Sequence, residues 1–529
     1  MKTTTIVIVC LLCAVASAQE WIARYSTGPG RVEVPEAVAV NDSGEIFVAG
    51  YARGLTLIKY SPAGETMWVR TRPRPDLALD TNGVDVAWLS YGTVLVVGGV
   101  RRDSFNGFRL VNFTNSGACQ YDTVFWHSKS RDPLIAGKTF LATTDNALYV
   151  FGRTLRDTAG VRNDPEAVLC KFLPDPRFIW ARFIGYGYGW SDYARGVCVD
   201  SRQGIHVAGR ANRNPQELAY AAKFDSSGRR LWYSTVGSES LDAEGMAVAG
   251  TEAATYLVGL RQLTSSGSKL GFVSRFNTNG GSVWSVTDTS LFDAASLDAA
   301  GDIYIAADKG PHAYDRDVVT LKYNSNGQLQ WKKTWAFPES VRAYPRRVFL
   351  DTSGDVVVSG DVNSRYSQRY MGIRYSPSGT QVWSDTSPEV GQREAIVTDA
   401  VLDGQGNLIS TGYNITPAYT ADWVTMKFHP VGSVAEQGAE SVAEREAINV
   451  LPAVVRATCR ISAPGWDGPL VVADRSGRVV RTLASRPASL APVPWDLCDG
   501  AGRRVADGVY FILAPPRSGL CPARLVVAR

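Results

Sequence analysis

The chain has 529 residues, of which 45% are hydrophobic and 20% charged, with 55 basic and 51 acidic side chains and a net charge of +4. That is enough apolar material for a full core and excludes a disordered chain. The basic residues are spread along the sequence, which excludes the concentrated positive face of a nucleic-acid binder.

The N-terminus reads as a secretory leader. Lys2 supplies the positive start, Ile6 to Val15 is an apolar run too short to span a bilayer, and Ala16-Ser17-Ala18 is a small-x-small cleavage site. Residues 1–18 are therefore expected to be removed. A lipoprotein reading through Cys13 is the weaker one, because Leu12 precedes it where a small residue is expected. No later segment has the apolar length of a membrane helix, so the expected location is secreted or cell surface.

A Trp then returns eight times, at Trp21, Trp68, Trp126, Trp180, Trp232, Trp284, Trp331 and Trp383, with gaps of 47, 58, 54, 52, 52, 47 and 52 residues. A period of about 50 carrying strand patterns and no helical ones predicts a β-propeller. Each unit opens with a short apolar strand ending in Asp or Asn, such as Ala37 to Asn41, Gly196 to Asp200 or Ala400 to Asp403. A polar turn with Gly follows, where Asp or Asn bonds back to the local backbone. The second strand is apolar on both faces, as in Ile46 to Gly50 or Val356 to Gly360, and is expected to be buried on both.

The third strand carries a basic-aromatic pair: Lys59-Tyr60, Lys171-Phe172, Lys223-Phe224, Arg275-Phe276, Lys322-Tyr323, Arg374-Tyr375 and Lys427-Phe428, with Asn112-Phe113 in the second unit. The basic stem is expected along the sheet with its charge at the rim. The fourth strand opens on the Trp, expected to be fully covered by the next unit and worth roughly 2–3 kcal/mol each. The last unit, ending near Phe428, has no Trp strand, while Trp21 to Tyr25 has no unit before it. The prediction is an all-β, eight-bladed propeller over residues 19–430, closed by the N-terminal strand, or seven blades if residues 84–126 are not a unit.

The pattern Asp-x-x-Gly-(Asn/Asp)-(Ile/Val)-(Tyr/Val)-(Val/Ile)-(Ala/Ser)-Gly, followed by Lys-(Tyr/Phe)-(Asn/Ser)-x-x-Gly-x-x-x-Trp, resembles the bacterial SBBP β-propeller repeat over about residues 21–430. The resemblance implies an architecture and no particular activity.

Residues 431–448 are acidic and small and read as a linker. Beyond them, residues 449–529 are expected to form a small β-sandwich of about five strands. The hairpin Asp474-x-x-Gly477-Arg478-x-Val480, Trp495-Asp496, Gly502-Arg503-x-Val505 and Gly508-Val509-Tyr510-Phe511 resemble the Ig-like domain of flagellar hook-capping proteins and the C-terminal sorting domains of type IX secretion substrates. That resemblance implies export machinery as a partner and a role in secretion or surface attachment. Leu497-Cys498 stands where those domains usually have Gly, which puts the local turn in question.

Chemistry is sparse. The four histidines, His127, His206, His312 and His429, lie in different units, and His206 reads as a packed strand residue. Ser266 and Lys269 form a Ser-x-x-Lys without its usual companions and read as chance. The repeated turn acids Asp200, Asp298, Asp351 and Asp403 read as turn caps rather than calcium ligands. Cysteines show no metal spacing; one disulfide among Cys459, Cys498 and Cys521 and small buried side chains are equally open. No metal, cofactor or catalytic residue is assigned. Tyr186, Tyr188, Trp190 and Tyr193 are the candidate ligand-binding cluster, able to stack on a sugar if exposed. Asp192 and Arg195 beside them are the sole enzyme candidates, with a solvated loop pair the plainer reading. The leading expectation is a non-enzymatic exported propeller binding a protein or polysaccharide partner. The alternatives are a propeller lyase or hydrolase with a site in the central channel, or a structural surface component.

Overall fold

The computed structural model describes residues 19–428 and 449–527, apart from 29–32, 53, 74–78, 103–104, 130–138, 145–146, 157–163, 186–190, 214–215, 239–240, 264–266, 313–314, 337–341, 365–367, 389, 391–393, 416–420, 452–453, 456–458, 463–469, 475–477, 484–492 and 514–522. The expected leader and linker lie outside the described residues. Chain contacts divide the protein into two units, residues 1–435 and 436–529. Every described element is a strand, and no described helix is long and apolar enough to cross a membrane.

The first unit is a propeller-like series of four-stranded antiparallel sheets. In chain order they occupy residues 34–72, 79–129, 140–184, 191–236, 241–288, 291–335, 342–386 and 394–428. The sixth and seventh are joined by one parallel bridge, Arg316 to Arg342. The eighth has three strands of its own and takes its fourth from the N-terminus. Gln19–Tyr25 pairs antiparallel with Ala421–Phe428, matching Gln19 with Phe428 and Tyr25 with Trp423. No sheet closes on itself. The first strands of successive sheets lie side by side from Val34–Val40 to Glu394–Leu402, and Glu394–Leu402 also lies beside Val34–Val40.

The second strands are buried as their two apolar faces demand. Ile46, Phe47, Val48 and Ala49 are inaccessible, as are Val94 to Val97 and Val356 to Val358. The irregular second unit still makes four strands, and Asn112 replaces the third-strand cation by donating to the Thr93 hydroxyl (3.0 Å).

The tryptophans need a correction. Each described one reaches the next sheet, but only Trp180, Trp232 and Trp383 are buried. Trp21, Trp68, Trp284 and Trp331, on the outermost strands of their sheets, are only partly buried; the Trp126 side chain lies outside the described residues. Six of the rings cover the last turn of the following sheet, while Trp383 packs on Phe428 of the eighth. The indole nitrogens of Trp21, Trp68, Trp284 and Trp331 donate to the carbonyls of Pro62, Asn115, Ser325 and Pro377. Two residues on, Gly64, Gly117, Gly327 and Gly379 hold φ near +80° with the ring pressed against the missing side chain; Gly228 and Gly280 do the same for Trp180 and Trp232.

The turn acids cap as expected and also do a second job. In Asp200, Asp298, Asp351 and Asp403 one oxygen accepts the two backbone N–H groups of the first turn. In Asp200 and Asp403 the other oxygen meets the third-strand cation, Lys223 at 2.8 Å and Lys427 at 3.3 Å. The expected rim charge is thus wrong: Lys59, Lys223, Arg374 and Lys427 are buried against acids.

The second unit has a three-stranded sheet, Asn449–Leu451, Cys459–Ser462 and Val493–Trp495, and a five-stranded one, Val454–Val455, Ala523–Val527, Gly508–Leu513, Leu470–Asp474 and Val479–Leu483. That is more strands than the expected five, because the short stretches before residue 463 pair. Ile461 and Trp495 of one sheet share a core with Leu470, Val472, Tyr510, Ile512 and Val527 of the other. Leu497 holds a left-handed φ of 57°, which Gly adopts most readily, while its side chain is fully buried. Burial of the Leu offsets a backbone cost of about 1–2 kcal/mol. Cys498 stands unbonded, which removes it from any disulfide; Cys459 and Cys521 have no described side chain.

Candidate functional site

Polar chemistry in the first unit collects where the first strands slip. In six sheets the first strand carries one extra residue at the same register: Glu36, Arg195, Met246, Asp293, Arg346 and Thr398. A bulge re-aims the side chain it carries. It also pushes a carbonyl over the second strand, and there the sequence answers with Gly. A β-carbon on Gly50, Gly209, Gly259, Gly360 or Gly412 would lie 1.8–2.2 Å from the carbonyl oxygen of Val34, Tyr193, Glu244, Tyr344 or Ile396. The Gly at this register in five of the six second strands, with Ala307 in the sixth sheet, was therefore a legible signal for the bulge, and sequence reasoning passed over it.

Four of the six bulge residues are charged, and the register places further charges around them. Arg346 donates to Asp361 (2.8 Å) and Arg347 to Asp399 (2.7 Å). Each of these acids also accepts a first-strand N–H, Val397 on Asp361 (3.2 Å) and Val38 on Asp399 (3.0 Å). Asp85 does likewise for Leu141 (2.8 Å). Asp361 is inaccessible, and burial raises its carboxyl above the usual range against the pull of Arg346. Beside it, Asp293 and Asp308 are hydrogen-bonded to each other, and Arg316 reaches Asp308. Burial, then the charge of Asp308, pushes the Asp293 carboxyl well above the carboxylate range.

The fourth sheet repeats the geometry with other charges. Tyr193 and Tyr344 occupy the same register, opposite Arg210 and Asp361. The Tyr193 ring carries the guanidiniums of Arg153 (3.9 Å) and Arg210 (4.4 Å); the Tyr344 ring carries those of Arg346 (5.2 Å) and Arg316 (5.7 Å). Of the predicted aromatic cluster, Tyr186, Tyr188 and Trp190 lie outside the described residues. What Tyr193 offers is a platform occupied by two arginines, not a bare face.

Asp192 and Arg195 are not a solvated loop pair. Asp192 is 1% exposed on the fourth sheet's first strand and binds Arg213 (3.0 Å). Burial lifts it to about 6, with Arg213 opposing and Glu166 adding to the rise. Arg195 pairs with Glu244 of the next sheet. The two are neighbours in sequence whose side chains serve separate networks.

At the opposite, first-turn end, His206 is packed as expected. Its Nδ1 meets the Thr255 hydroxyl (2.7 Å) and its Nε2 meets Asp200 (3.1 Å), which also holds Lys223. Burial, only partly offset by the Asp200 hydrogen bond, holds the imidazole below its usual range. Hydrogen bonds from His206, Lys223 and Gly204 hold Asp200 low despite burial. His206 contributes stability that is complete above its unfolded value near 6.5 and is lost as the pH falls below it. In the sixth sheet the same place is Tyr304, whose hydroxyl donates to Asp298 (3.1 Å). His206→Tyr is expected to melt close to the native chain at pH 7.5 and above it at pH 5, read by thermal unfolding across that range. Among the described residues no group of His, Cys, Asp and Glu has the arrangement of a metal site.

No protein-family model matches the chain, and no curated protein matches it. Solved structures resemble it at low identity. PorZ, a bacterial surface component of the type-IX secretion system of Porphyromonas gingivalis, is 11% identical with a TM-score of 0.30, covering 94% of this chain and 81% of its own. The polysaccharide lyase Uly1 is 12% identical with a TM-score of 0.42, covering 77% and 91%. The periplasmic gluconolactonase PpgL of Pseudomonas aeruginosa is 13% identical with a TM-score of 0.36, covering 73% and 93%. At that similarity none of them bears on the activity of this chain.

Proposed function

We propose that residues 19–430 are a closed eight-bladed propeller, exported from the cell, that binds a polysaccharide or protein partner at the bulged ends of its first strands. The N-terminal strand on Ala421–Phe428, and Glu394–Leu402 beside Val34–Val40, support closure. Export rests on the leader-like residues 1–18. Residues 449–529, after a linker at 431–448, act in this reading as an Ig-like module for secretion or surface attachment, following their resemblance to hook-capping and type IX sorting domains.

The observation that carries the binding reading is the register of charge. At one level of the first strands stand Glu36, Arg195, Asp293 and Arg346, each the extra residue of its bulge. Guanidinium and carboxylate groups held by one another at fixed spacing suit a polyhydroxylated, acid-bearing chain, which takes paired hydrogen bonds from each. Arg195→Gln is expected to lose at least tenfold in affinity on an array of bacterial surface glycans while unfolding at a similar temperature, since its partner Glu244 keeps contact with water. Native-like binding by this variant would end the reading.

A second reading, proton-transfer chemistry by a lyase or hydrolase at the same place, is favoured by the raised Asp293 carboxyl set against Asp308 beside Arg316 and Arg346.

A further inference from the structure

We propose that Arg275 anchors a second binding site, which takes the carboxylate of a small acidic ligand in a cleft among the first turns of the fourth, fifth and sixth sheets. This site lies at the other end of the sheets from the bulges and does not depend on them.

The argument starts from repetition. In five sheets an acid of the first turn neutralises the third-strand cation of the same sheet. Glu45 holds Lys59 (2.6 Å), Asp200 holds Lys223 (2.8 Å), Asp302 holds Lys322 (3.1 Å), Asp355 holds Arg374 (2.9 Å) and Asp403 holds Lys427 (3.3 Å). The second sheet drops the cation for Asn112, and in the third Lys171 donates to the Ser226 carbonyl (2.8 Å). The fifth sheet keeps its cation, but the one acid of its turn, Glu252, pairs with Arg202 of the fourth sheet's turn and not with that cation. Its turn is one residue shorter, with Thr251 and Ala254 flanking it where the sixth sheet has Asp298 and Asp302. The turn itself needs no acid, since the Thr251 hydroxyl accepts the Ala254 N–H (3.1 Å).

Arg275 is left with a neutral partner. Its Nε donates to the Tyr256 hydroxyl (3.2 Å), which donates in turn to the Gly301 carbonyl (2.8 Å). Its terminal nitrogens have no ion pair or hydrogen bond among the described residues. The surrounding acids are committed elsewhere. Asp200 serves His206 and Lys223, Glu252 serves Arg202 (2.6 Å) and Ser201 (2.8 Å), and Asp298 and Asp302 face Lys322. Of the third-strand cations of these three sheets, Lys223, Arg275 and Lys322, Arg275 alone has no acid on it among the described residues. Arg275 lies in a cleft of about 590 Å³ lined also by Asp200, Ser201, Thr251, Glu252 and Gly301. A guanidinium fork with free donors selects a planar carboxylate, here in the place the missing turn acid would have filled, and the cleft has room for the body of a sugar acid.

The test uses the full chain titrated with sodium glucuronate, with glucose as the neutral control, followed by saturation-transfer NMR. Glucuronate is expected to bind with a Kd of about 1 mM, the strength of one such anchor, and glucose at least tenfold more weakly. Arg275→Gln is expected to weaken glucuronate tenfold or more. Thr251→Asp returns an acid to the turn and is expected to do the same with the melting temperature kept or raised, which separates an occupied site from an unfolded one. The proposal is overturned by no glucuronate binding to the native chain, by glucose binding equally well, or by either variant retaining native affinity.

Discussion

A chain lacking residues 19–25 is expected to unfold about 4 kcal/mol more easily than the intact protein and to aggregate as concentration rises. The strand lost supplies the whole outer edge of the eighth sheet, pairing from Phe428 to Trp423. Its Ile22, Ala23 and Tyr25 pack on neighbouring sheets, and Tyr25 stands edge-on to the inaccessible Trp423 at 5.6 Å. Uncovering those side chains at about 25 cal/mol per Å² gives the energy. That is a large part of the 5–15 kcal/mol that holds a typical domain. Removal also bares the N–H and C=O row of Ala421–Phe428, a template for pairing with another chain. Denaturant unfolding and light scattering check both effects; equal midpoints and a monomeric truncated chain would show that the strand is dispensable.

The second large effect is expected at a single glycine. Gly228→Ala places a β-carbon 2.8 Å from the buried Trp180 ring at φ +82°. A rigid indole cannot yield as a flexible chain end would, so packing strain adds to the cost of a left-handed non-Gly residue, together about 3 kcal/mol. Two controls divide that figure. Gly92 has φ +81° with nothing within 4 Å, so Gly92→Ala carries the backbone cost alone, about 1 kcal/mol. Gly404 has open space and no left-handed φ, and Gly404→Ala is expected to change stability by less than about 0.5 kcal/mol. If all three variants melt together, the Trp-on-turn contact is not what joins one sheet to the next.

Much of this architecture was legible because it repeats. The apolar second strand, the turn with Asp and Gly and the outer Trp recur every 50 residues or so, and each has a local physical reason that survives being read one unit at a time. Even the N-terminal strand could be assigned to the far end of the chain, because Trp21 lacked a unit and Phe428 lacked a Trp strand. The burial of the tryptophans was overestimated, since a side chain's cover depends on whether its strand ends at water.

The candidate sites were not legible for the opposite reason: they are departures from the repeat. Asp192 and Arg195 drew attention as neighbours in sequence, yet a bulge after Ala194 sends Arg195 to Glu244 of the next sheet and leaves Asp192 buried with Arg213. Asp293 and Asp308, fifteen positions apart, meet only because the register sets Leu291 against Asp308 and the bulge turns Asp293 towards it. Arg275 was recorded as one more basic residue of the third strand; its missing acid matters only once the other turns are seen to supply one. Periodicity and local propensity act within one unit, so the chain by itself determined the strands, the turns and their order. Which charges meet, and which is left without a partner, depends on groups brought together from different strands and sheets, and only the tertiary structure decided it.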